Sequence, residues 1–345
     1  HMAWDVIAEK PVRDTHEFLR PWVHWDSCFR IAPQPSERFA VGLWQHQIHD
    51  RRTGAYSRHA RYSSHGTSGG TEFPRHGGFY IRTWASAYRH TSEPILLEAI
   101  EVLVDSFEQR RNPKTGAIPA YTGSPGTLWP PSNLSLAIDL HDGASLVPEA
   151  TAEKMLACAK RIDDVFLKCD HQLGPDGGGF VTRGNTETLK PHGPIAGHFV
   201  RSQTWLSGYG DYTDSQMARF CVLRYDQSER GEYLALARAA ADRYLRSEPD
   251  ASIAVWPSAV GDAMGLLVEI HRLTGDRKYL ARAKKLSARA HAMFFTEGSP
   301  LPKATSKHDH YEAVTRADTL MMELLRLWAV EHQPPRELHL VYNER

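Results

Sequence analysis

The sequence lacks an apolar segment long enough to cross a membrane. None of its apolar runs approaches the ~20 residues that a transmembrane helix needs. Net charge is missing as well, because 41 Lys and Arg residues are matched by 41 Asp and Glu residues. Because the net charge is zero, no overall electrostatic field attracts nucleic acid or an anionic membrane to the chain. We therefore expect neither of them among its partners.

Cysteine is scarce and follows no functional pattern. The four cysteines show neither CxxC spacing nor the density of a disulfide framework, which favours buried free thiols. They do not decide the cellular compartment. The first two residues, His1 and Met2, read as a scar from tag cleavage, so a missing targeting segment is uninformative.

The common nucleotide and hydrolase motifs are also absent. The chain contains no G-x-x-x-x-G-K-[ST], no credible dinucleotide fingerprint, no G-x-S-x-G and no H-E-x-x-H. We expect no nucleotide cofactor, and serine hydrolase chemistry is disfavoured.

One basic and aromatic stretch, Trp44–His90, is rich in groups that bind oxygen atoms. It holds six of the nineteen histidines and seven arginines, whereas only Asp50 and Glu72 are acidic. Arginine and histidine beside tryptophan and tyrosine suit a site for a planar, oxygen-rich and anionic ligand. The alternative is a polar loop whose histidines only satisfy neighbouring backbone groups.

Later segments of the chain repeat each other. Tyr233 and Tyr279 are 46 residues apart, and each follows a short polar turn and precedes an alanine-rich helix. A weaker copy begins at Tyr88. This period indicates stacked helical hairpins, and long, dissimilar loops between the copies favour a closed ring over an open solenoid. We expect one all-α domain over residues 3–345, an (α/α) toroid of helical hairpins with long loops on one rim.

These features resemble a known enzyme superfamily. The T-G-D-x-x-Y-L segment Thr274–Leu280, the Y-L-x-x-A repeats and the clustered Trp, His and Arg are similar to the (α/α) toroid carbohydrate-active enzymes over residues 36–330. That superfamily includes six-hairpin glycosidases and polysaccharide lyases that act on uronic-acid polymers. The resemblance implies a catalytic toroid domain. In some such lyases an Arg lies next to a His, with a nearby His and Glu holding a divalent cation. Arg75-His76, with His59 or His65 and Glu72, are similar in type.

A uronate lyase works by β-elimination, which needs three kinds of group. Arginine or a metal neutralises the carboxylate, a base removes the C5 proton, and an acid protonates the leaving oxygen. We expect the catalytic groups to be His76, Arg75, Tyr209 and His59. We expect the substrate-binding groups to be Trp44, Arg58, Arg82, Arg201, Trp205 and Asp211.

The segment from Arg201 to Asp214 is a second constellation. Trp205 and Tyr209 are four residues apart, and Asp211 and Asp214 follow them. An aromatic floor with adjacent carboxylates suits a sugar subsite. Alternatively, either aspartate caps the helix that follows.

A divalent metal of unknown identity is a further expectation. His308 and His310 alternate, so an extended segment places both on one side, as in a metal-binding pair. The alternative is a helix N-terminus with Asp309 near its cap. The expected ligands are His65, Glu72, His308 and His310.

The leading hypothesis is a lyase that cleaves an acidic polysaccharide or oligosaccharide. The runner-up is an inverting glycoside hydrolase that pairs Asp211 with Glu72 or Asp142. The third is a non-catalytic, glycan-binding helical repeat. A lyase on extracellular glycans is expected in the periplasm or outside the cell, and one on oligosaccharides in the cytoplasm.

Overall fold

The computed structural model of the chain forms two compact units. Unit 1 comprises His1–Lys168 with Gly184–Leu189, and unit 2 comprises Cys169–Arg183 with Lys190–Arg345. The expectation of one catalytic domain stays a prediction. The structure describes residues 3–5, 10–12, 25–56, 72–193, 197–206, 208–250 and 252–333.

Helices dominate both units. Unit 1 contains α1 (Trp25–Ile31), α2 (Pro33–Gln47), α3 (Pro74–Thr91), α4 (Pro94–Gln109), α5 (Pro130–Ala144) and α6 (Glu149–Phe166). Unit 2 contains α7 (Asp214–Ser228), α8 (Gly231–Arg246), α9 (Pro257–Thr274), α10 (Arg277–Phe294), a 3₁₀ turn (Ala313–Thr315) and α11 (Ala317–His332). Six short strands of unit 1 pair antiparallel as β1 (Ala3–Asp5) with β2 (Lys10–Val12), β3 (Ile48–Asp50) with β4 (Ala55–Tyr56), and β5 (Thr127–Leu128) with β6 (Gly184–Asn185). Within the described ranges, no helix has both the length and the apolar character needed to span a bilayer.

Three helical hairpins share the same tight turn. Two residues separate α3 from α4, α7 from α8, and α9 from α10, and the first of them is left-handed in each case. The backbone N–H of Ser92, Glu229 and Gly275 donates to the carbonyl four residues earlier, at 2.8 Å each time. These bonds satisfy a carbonyl that the helix end leaves open. The polar turns of the sequence repeat are these hairpin turns.

The tyrosines of the sequence repeat are core residues. Tyr233 and Tyr279 are each the third residue of the second helix of a hairpin, and both are fully buried. Leu96 occupies the same position in α4 and is also fully buried. The repeated position is therefore one that packs into the core. The hydroxyl of Tyr279 also donates to Asp242 Oδ1 at 2.8 Å.

The first helix of a hairpin runs parallel to the first helix of the next one. In unit 1, the early Gly78 of α3 lies beside Leu136, and the later Ala85 lies beside Gly143 near the end of α5. In unit 2, Gly261 of α9 approaches the backbone of Leu320 in α11 so closely that a Cβ there would lie 2.8 Å from its Cα. Parallel neighbours begin at the same end of the unit. The long loops that precede them therefore gather at that end, here called the rim of each unit.

An aromatic residue followed by proline starts three of these helices. Phe73-Pro74 begins α3, Trp129-Pro130 begins α5 and Trp256-Pro257 begins α9. Proline fits the first helical position because its missing N–H would have no partner there, and it keeps the preceding residue extended. The dipeptide therefore places an aromatic residue at the rim.

Unit 2 contains a buried ionic network between its parallel helices. Arg219 of α7 lies 3.3 Å from Asp262 of α9 and 2.6 Å from Glu323 of α11, and all three side chains are buried. Arg326 continues the network, at 3.1 Å from the other oxygen of Glu323. Breaking such a network is costly because it leaves a buried charge without compensation. Gly265 makes room for it, since a Cβ there would lie 2.6 Å from both Arg219 Nη1 and Glu323 Oε2.

Gly265→Ala is expected to destabilise the protein. Alanine gains about 1 kcal/mol in a helix relative to glycine. The clash with the ion pair is expected to outweigh that gain and to lower the free energy of unfolding by about 1–3 kcal/mol. Urea unfolding measures the change. Gly42→Ala in α2 is the control, because its nearest neighbour is a flexible side-chain atom 3.9 Å away. Equal stability of Gly265→Ala and wild type would contradict the close packing of Gly265 against the Arg219–Glu323 ion pair.

Buried tyrosines and thiols make the fold sensitive to alkali. Burial raises the pKa of Tyr56, Tyr80 and Tyr244 above their usual 10.0. It raises the pKa of Cys158 and Cys169 from 9.0 to about 12. The native state therefore keeps protons that the unfolded chain loses first. The stability they contribute is complete below pH 9.0 and is lost as the pH rises above it.

The denaturation midpoint is thus expected to stay level up to about pH 9 and to fall steadily above it. Tyr80→Phe removes one buried ionisable hydroxyl and is expected to flatten the fall above pH 10.0. Tyr311→Phe, at an exposed tyrosine, is expected to leave the slope unchanged. Urea midpoints at a series of pH values measure both. Equal slopes for the two variants would contradict the claim that the buried hydroxyl of Tyr80 contributes to the loss of stability in alkali.

Candidate functional site

The starts of α3 and α5 meet at the rim of unit 1. The backbone N–H of Arg75 donates to Ser132 Oγ at 2.9 Å, which joins the first turns of the two helices. The ring of Phe73 lies 5.0 Å from that of Trp129, 5.4 Å from that of Tyr121 and 6.1 Å from that of His76. We call Phe73, Arg75, His76, Tyr121 and Trp129 the unit 1 rim cluster. All except Phe73 are partly exposed.

Hydrogen bonds below the cluster hold its central segment in place. The hydroxyl of Tyr56 donates to the carbonyl of Phe73, and that of Thr122 donates to the carboxylate of Glu72. Arg110 Nη1 donates to the carbonyl of Glu72 at 3.4 Å. Because burial raises the pKa of Tyr56, its hydroxyl remains a donor through the neutral range. The cluster is therefore a fixed surface.

Asn133, in the first turn of α5, offers an acceptor close to the cluster. Its Nδ2 donates to the carbonyl of Ile118 at 2.9 Å, which fixes the orientation of the side-chain amide. Its backbone N–H donates to the carbonyl of Trp129. Within the described chain Oδ1 accepts no hydrogen bond, although it is buried. Such an acceptor costs about 1–3 kcal/mol, which a donor from water or a ligand would recover.

The unit 1 rim cluster combines a cation, an imidazole, a phenol and an aromatic platform. Arginine binds carboxylates and other oxyanions, histidine and tyrosine transfer protons, and tryptophan presents a flat apolar face. These are the groups needed to hold an oxygen-rich ring and to move a proton on it.

Unit 2 carries a second polar cluster in the segment 197–213, of which Ser207 is not described. Arg183 Nη1 lies 3.0 Å from Asp211 Oδ1, and both side chains are almost fully buried. His198 Nδ1 lies 3.4 Å from the same oxygen. This distance is within ion-pair range, although the pair lacks hydrogen-bond geometry.

Asp214, the neighbouring carboxylate, is fully engaged. It receives hydrogen bonds from the hydroxyls of Ser202 and Thr204, and Arg243 Nε lies 3.1 Å from its Oδ2. The cap of α7 is Thr213, whose side chain accepts from Gln216 N–H. The alternative that Asp211 or Asp214 caps this helix is therefore wrong, and Asp214 ties the rim loop to α8.

Three expected substrate-binding residues make contacts within their own unit. Trp44 is fully buried and packs edge-on against Trp84 in the core of unit 1. Trp205 is 5% exposed, and its indole N–H donates to Ser247 Oγ at 2.6 Å. Arg201 donates to the carbonyls of Asp170 and Gly179 and pairs with the Asp170 carboxylate at 2.8 Å. A count of aromatic and basic residues does not reveal these inward orientations.

The other expected substrate-binding residues lie in different surroundings. Arg82 lies on α3, with its Nε 3.6 Å from Asp142 Oδ2. Asp211 faces inward towards Arg183. Arg58, like the expected catalytic His59, lies outside the described residues.

Tyr209, also expected to be catalytic, is 58% exposed in unit 2. Arg75 and His76, which are consecutive in the chain, are both part of the unit 1 rim cluster.

The expected metal ligands that the structure describes belong to different units. His308 and His310 are exposed in unit 2, with ring centres 6.3 Å apart, and His308 Nδ1 is bonded to Thr305 Oγ1 at 2.8 Å. Glu72 is buried in unit 1 and bonded to Thr122. His65 lies outside the described residues. Across the part of the chain that the structure describes, no three His, Cys, Asp or Glu side chains gather as a metal site. The metal stays a prediction.

The sequence interpretation missed Tyr121, Trp129, Asn133 and Arg183. Trp129 had a usable signal, since three aromatic–proline dipeptides lie at equivalent helix starts. Arg183 had none, because its partner Asp211 is 28 residues further along the chain.

Comparison with known proteins gives a fold and no family. No family model matches the chain, and no curated protein matches its sequence. Among solved structures, a D-mannose isomerase has a TM-score of 0.54 at 12% identity, covering 90% of this chain and 83% of its own. Cellobiose 2-epimerase from Bacillus thermoamylovorans has a TM-score of 0.57 at 10% identity, covering 88% and 84%. A GH76 α-mannanase from Bacteroides thetaiotaomicron has a TM-score of 0.53 at 14% identity, covering 89% and 82%.

These neighbours confirm the fold class. They are (α/α) toroid proteins, as expected from the helical repeat and the resemblance. At 10–14% identity the likeness concerns the fold alone.

Proposed function

We propose that the chain is a carbohydrate-active enzyme that removes a proton from a sugar carbon, with His76 as the base. The observation that carries the proposal is the unit 1 rim cluster, where the rings of His76, Tyr121 and Trp129 all lie within 6.1 Å of the ring of Phe73. Arg75 precedes His76 in the first turn of α3. The solved structures that share the fold support the coarser part of the proposal, a carbohydrate-active enzyme, because their names refer to mannose, cellobiose and mannan.

A sugar suits both the shape and the polarity of the cluster. The apolar face of a pyranose ring stacks on an indole such as that of Trp129. Its hydroxyl groups can form hydrogen bonds with the polar atoms of Arg75, His76 and Tyr121. Arg75 adds a positive charge, which favours an acidic sugar.

Elimination from a uronate uses Arg75, His76 and Tyr121. Arg75 binds the carboxylate and stabilises the negative charge that develops as the proton leaves C5. His76 takes that proton, and the electrons of the C5–H bond form a double bond between C4 and C5. The C4–O bond breaks, and the leaving oxygen takes a proton from Tyr121. The substrate class is then an acidic polysaccharide or oligosaccharide.

Hydrolysis by the expected carboxylate pairs is disfavoured by the contacts of these residues, although one solved structure with the same fold is named as a GH76 α-mannanase. An inverting hydrolase needs two carboxyl groups ~6.5–9.5 Å apart that are free to act as acid and base. Asp211 is held by Arg183 and by the backbone N–H of Phe199, while Glu72 is buried against Thr122. Asp142 lies 3.6 Å from Arg82. Each carboxylate of the expected pairs therefore already has a partner within its own unit.

A second candidate reaction is isomerisation or epimerisation. Two of the solved structures with the same fold are named as a D-mannose isomerase and a cellobiose 2-epimerase. That chemistry also begins with removal of a proton from a sugar carbon, next to a carbonyl group. It needs the same base and no leaving group.

The test is turnover by His76 variants on a panel of uronate-containing and neutral sugars. Elimination gives an unsaturated, ultraviolet-absorbing uronate, and isomerisation gives a changed sugar without a new chain end. His76→Ala is expected to lower kcat by about 10²–10⁴-fold. His90→Ala is the matched control, since this exposed histidine lies in the last turn of the same helix.

Two results would contradict the proposal. One is full activity of His76→Ala, which would remove the base from the mechanism. The other is a product that has gained a reducing end without any double bond, which would identify a hydrolase. Circular dichroism of each variant separates lost catalysis from lost folding.

A further inference from the structure

The rim of unit 2 has a loop whose conformation is fixed from below by a buried ion pair. Arg183 and Asp211 have side chains that are 6% and 7% exposed, and they meet at 3.0 Å. The Arg183 guanidinium also donates to the carbonyl of Phe199 at 2.7 Å and to that of Gly210 at 2.8 Å. One buried side chain therefore binds both arms of the loop.

Asp211 completes this arrangement from the other side. Its Oδ1 accepts the backbone N–H of Phe199 at 3.1 Å in addition to Arg183. Its own backbone N–H donates to the carbonyl of Gly208 at 3.1 Å. The pair is desolvated, so it adds little net stability, but loss of either member would leave a buried charge unpaired. Its main effect is to hold one loop conformation.

The fixed loop presents three rings. Phe199 is 39% exposed and Tyr209 is 58% exposed, both large values for aromatic residues. His198 is half-buried, next to Asp211. Gly210 has φ +79°, and a Cβ there would lie 3.3 Å from His198 Cε1, so glycine suits both the turn and the imidazole. Exposed rings on a rigid loop lose little entropy when they bind a ligand.

We propose that residues 197–206 and 208–211 belong to a preformed carbohydrate-binding loop, in which His198, Phe199 and Tyr209 contact a pyranose unit of an oligosaccharide. The aromatic rings offer apolar faces to the ring carbons, and the imidazole offers a hydrogen bond to a hydroxyl group. Arg183 and Asp211 cancel each other's charge, so the loop recognises the uncharged part of a sugar. The proposal rests on the proposed function only for the class of ligand.

The test measures oligosaccharide binding by the full chain with His76→Ala, which is expected to bind without turnover. Tetrasaccharides, neutral and uronate-containing, are titrated by calorimetry. Adding Tyr209→Ala is expected to weaken binding by about five- to tenfold, the loss typical of one aromatic contact. Adding Tyr311→Ala is the matched control, because this tyrosine is 49% exposed in unit 2 and lies outside the loop. It is expected to change nothing.

The role of the ion pair has its own readout. Asp211→Asn keeps the shape of the side chain but leaves Arg183 without its counter-charge. Hydrogen exchange of the backbone amides of residues 197–206 and 208–211 is expected to become faster, and binding weaker, while exchange in α9 stays unchanged. Unchanged exchange in the loop would overturn the positioning role.

The outcomes of these experiments distinguish the loop proposal from the proposed function. Binding that is equal in the Tyr209→Ala and Tyr311→Ala variants, or no binding of any tetrasaccharide, overturns the loop proposal. If the wild type still converts sugars at a His76-dependent rate, the proposed function survives that failure. Loss of binding in Tyr209→Ala together with a wild type that converts no sugar supports the loop and overturns the reaction.

Discussion

Parallel helices that begin side by side are the constraint on which the rest of the structure depends. In unit 1 the bond from Arg75 N–H to Ser132 Oγ joins the starts of α3 and α5. In unit 2 the guanidinium of Arg316, just before α11, donates to Ser258 Oγ in the first turn of α9 at 3.3 Å. Both serines closely follow a tryptophan–proline pair. In each unit, a hydrogen bond to a serine in the first turn of a helix thus aligns neighbouring helix starts and brings their loops together.

The two rims are stabilised by different means. The rim of unit 1 rests on aromatic packing and on hydroxyl groups that bond to the backbone of residues 72 and 73. The rim of unit 2 rests on buried charges, with Arg183 paired to Asp211 and Arg243 to Asp214. A buried ion pair is costly to desolvate, and a segment it holds has few alternative conformations. Fixed side chains at both rims suit the recognition of rigid rings such as sugars.

The sequence predicted the fold better than the site. Helical periodicity and the tyrosine repeat indicated the hairpins, because packing positions such as Tyr233 and Tyr279 recur with the fold itself. Ser36 has the local sequence pattern of a helix N-cap, but α2 begins at Pro33 and the Ser36 hydroxyl donates to the carbonyl of Ala32. A serine one turn inside a helix has the same local pattern as a serine at its start.

Site residues were harder to predict because their partners are distant in sequence. Arg75 and His76 were singled out for their chemistry, and the structure adds Trp129 and Tyr121 beside them. Asp211 looked like a sugar ligand because its buried partner, Arg183, belongs to another segment. Trp44 looked like a binding residue because composition does not distinguish an aromatic floor from a core. Non-local pairing decides such cases, and a single sequence does not record it.

The most direct test of the central claim follows the hydrogen atoms of the sugar. A substrate whose carbon-bound hydrogens are all deuterium is converted in ordinary water, and the products are weighed by mass spectrometry. Elimination with His76 as the base predicts that one carbon-bound deuterium is lost to the solvent for each bond cleaved. Cleaved products that retain every deuterium would contradict the account.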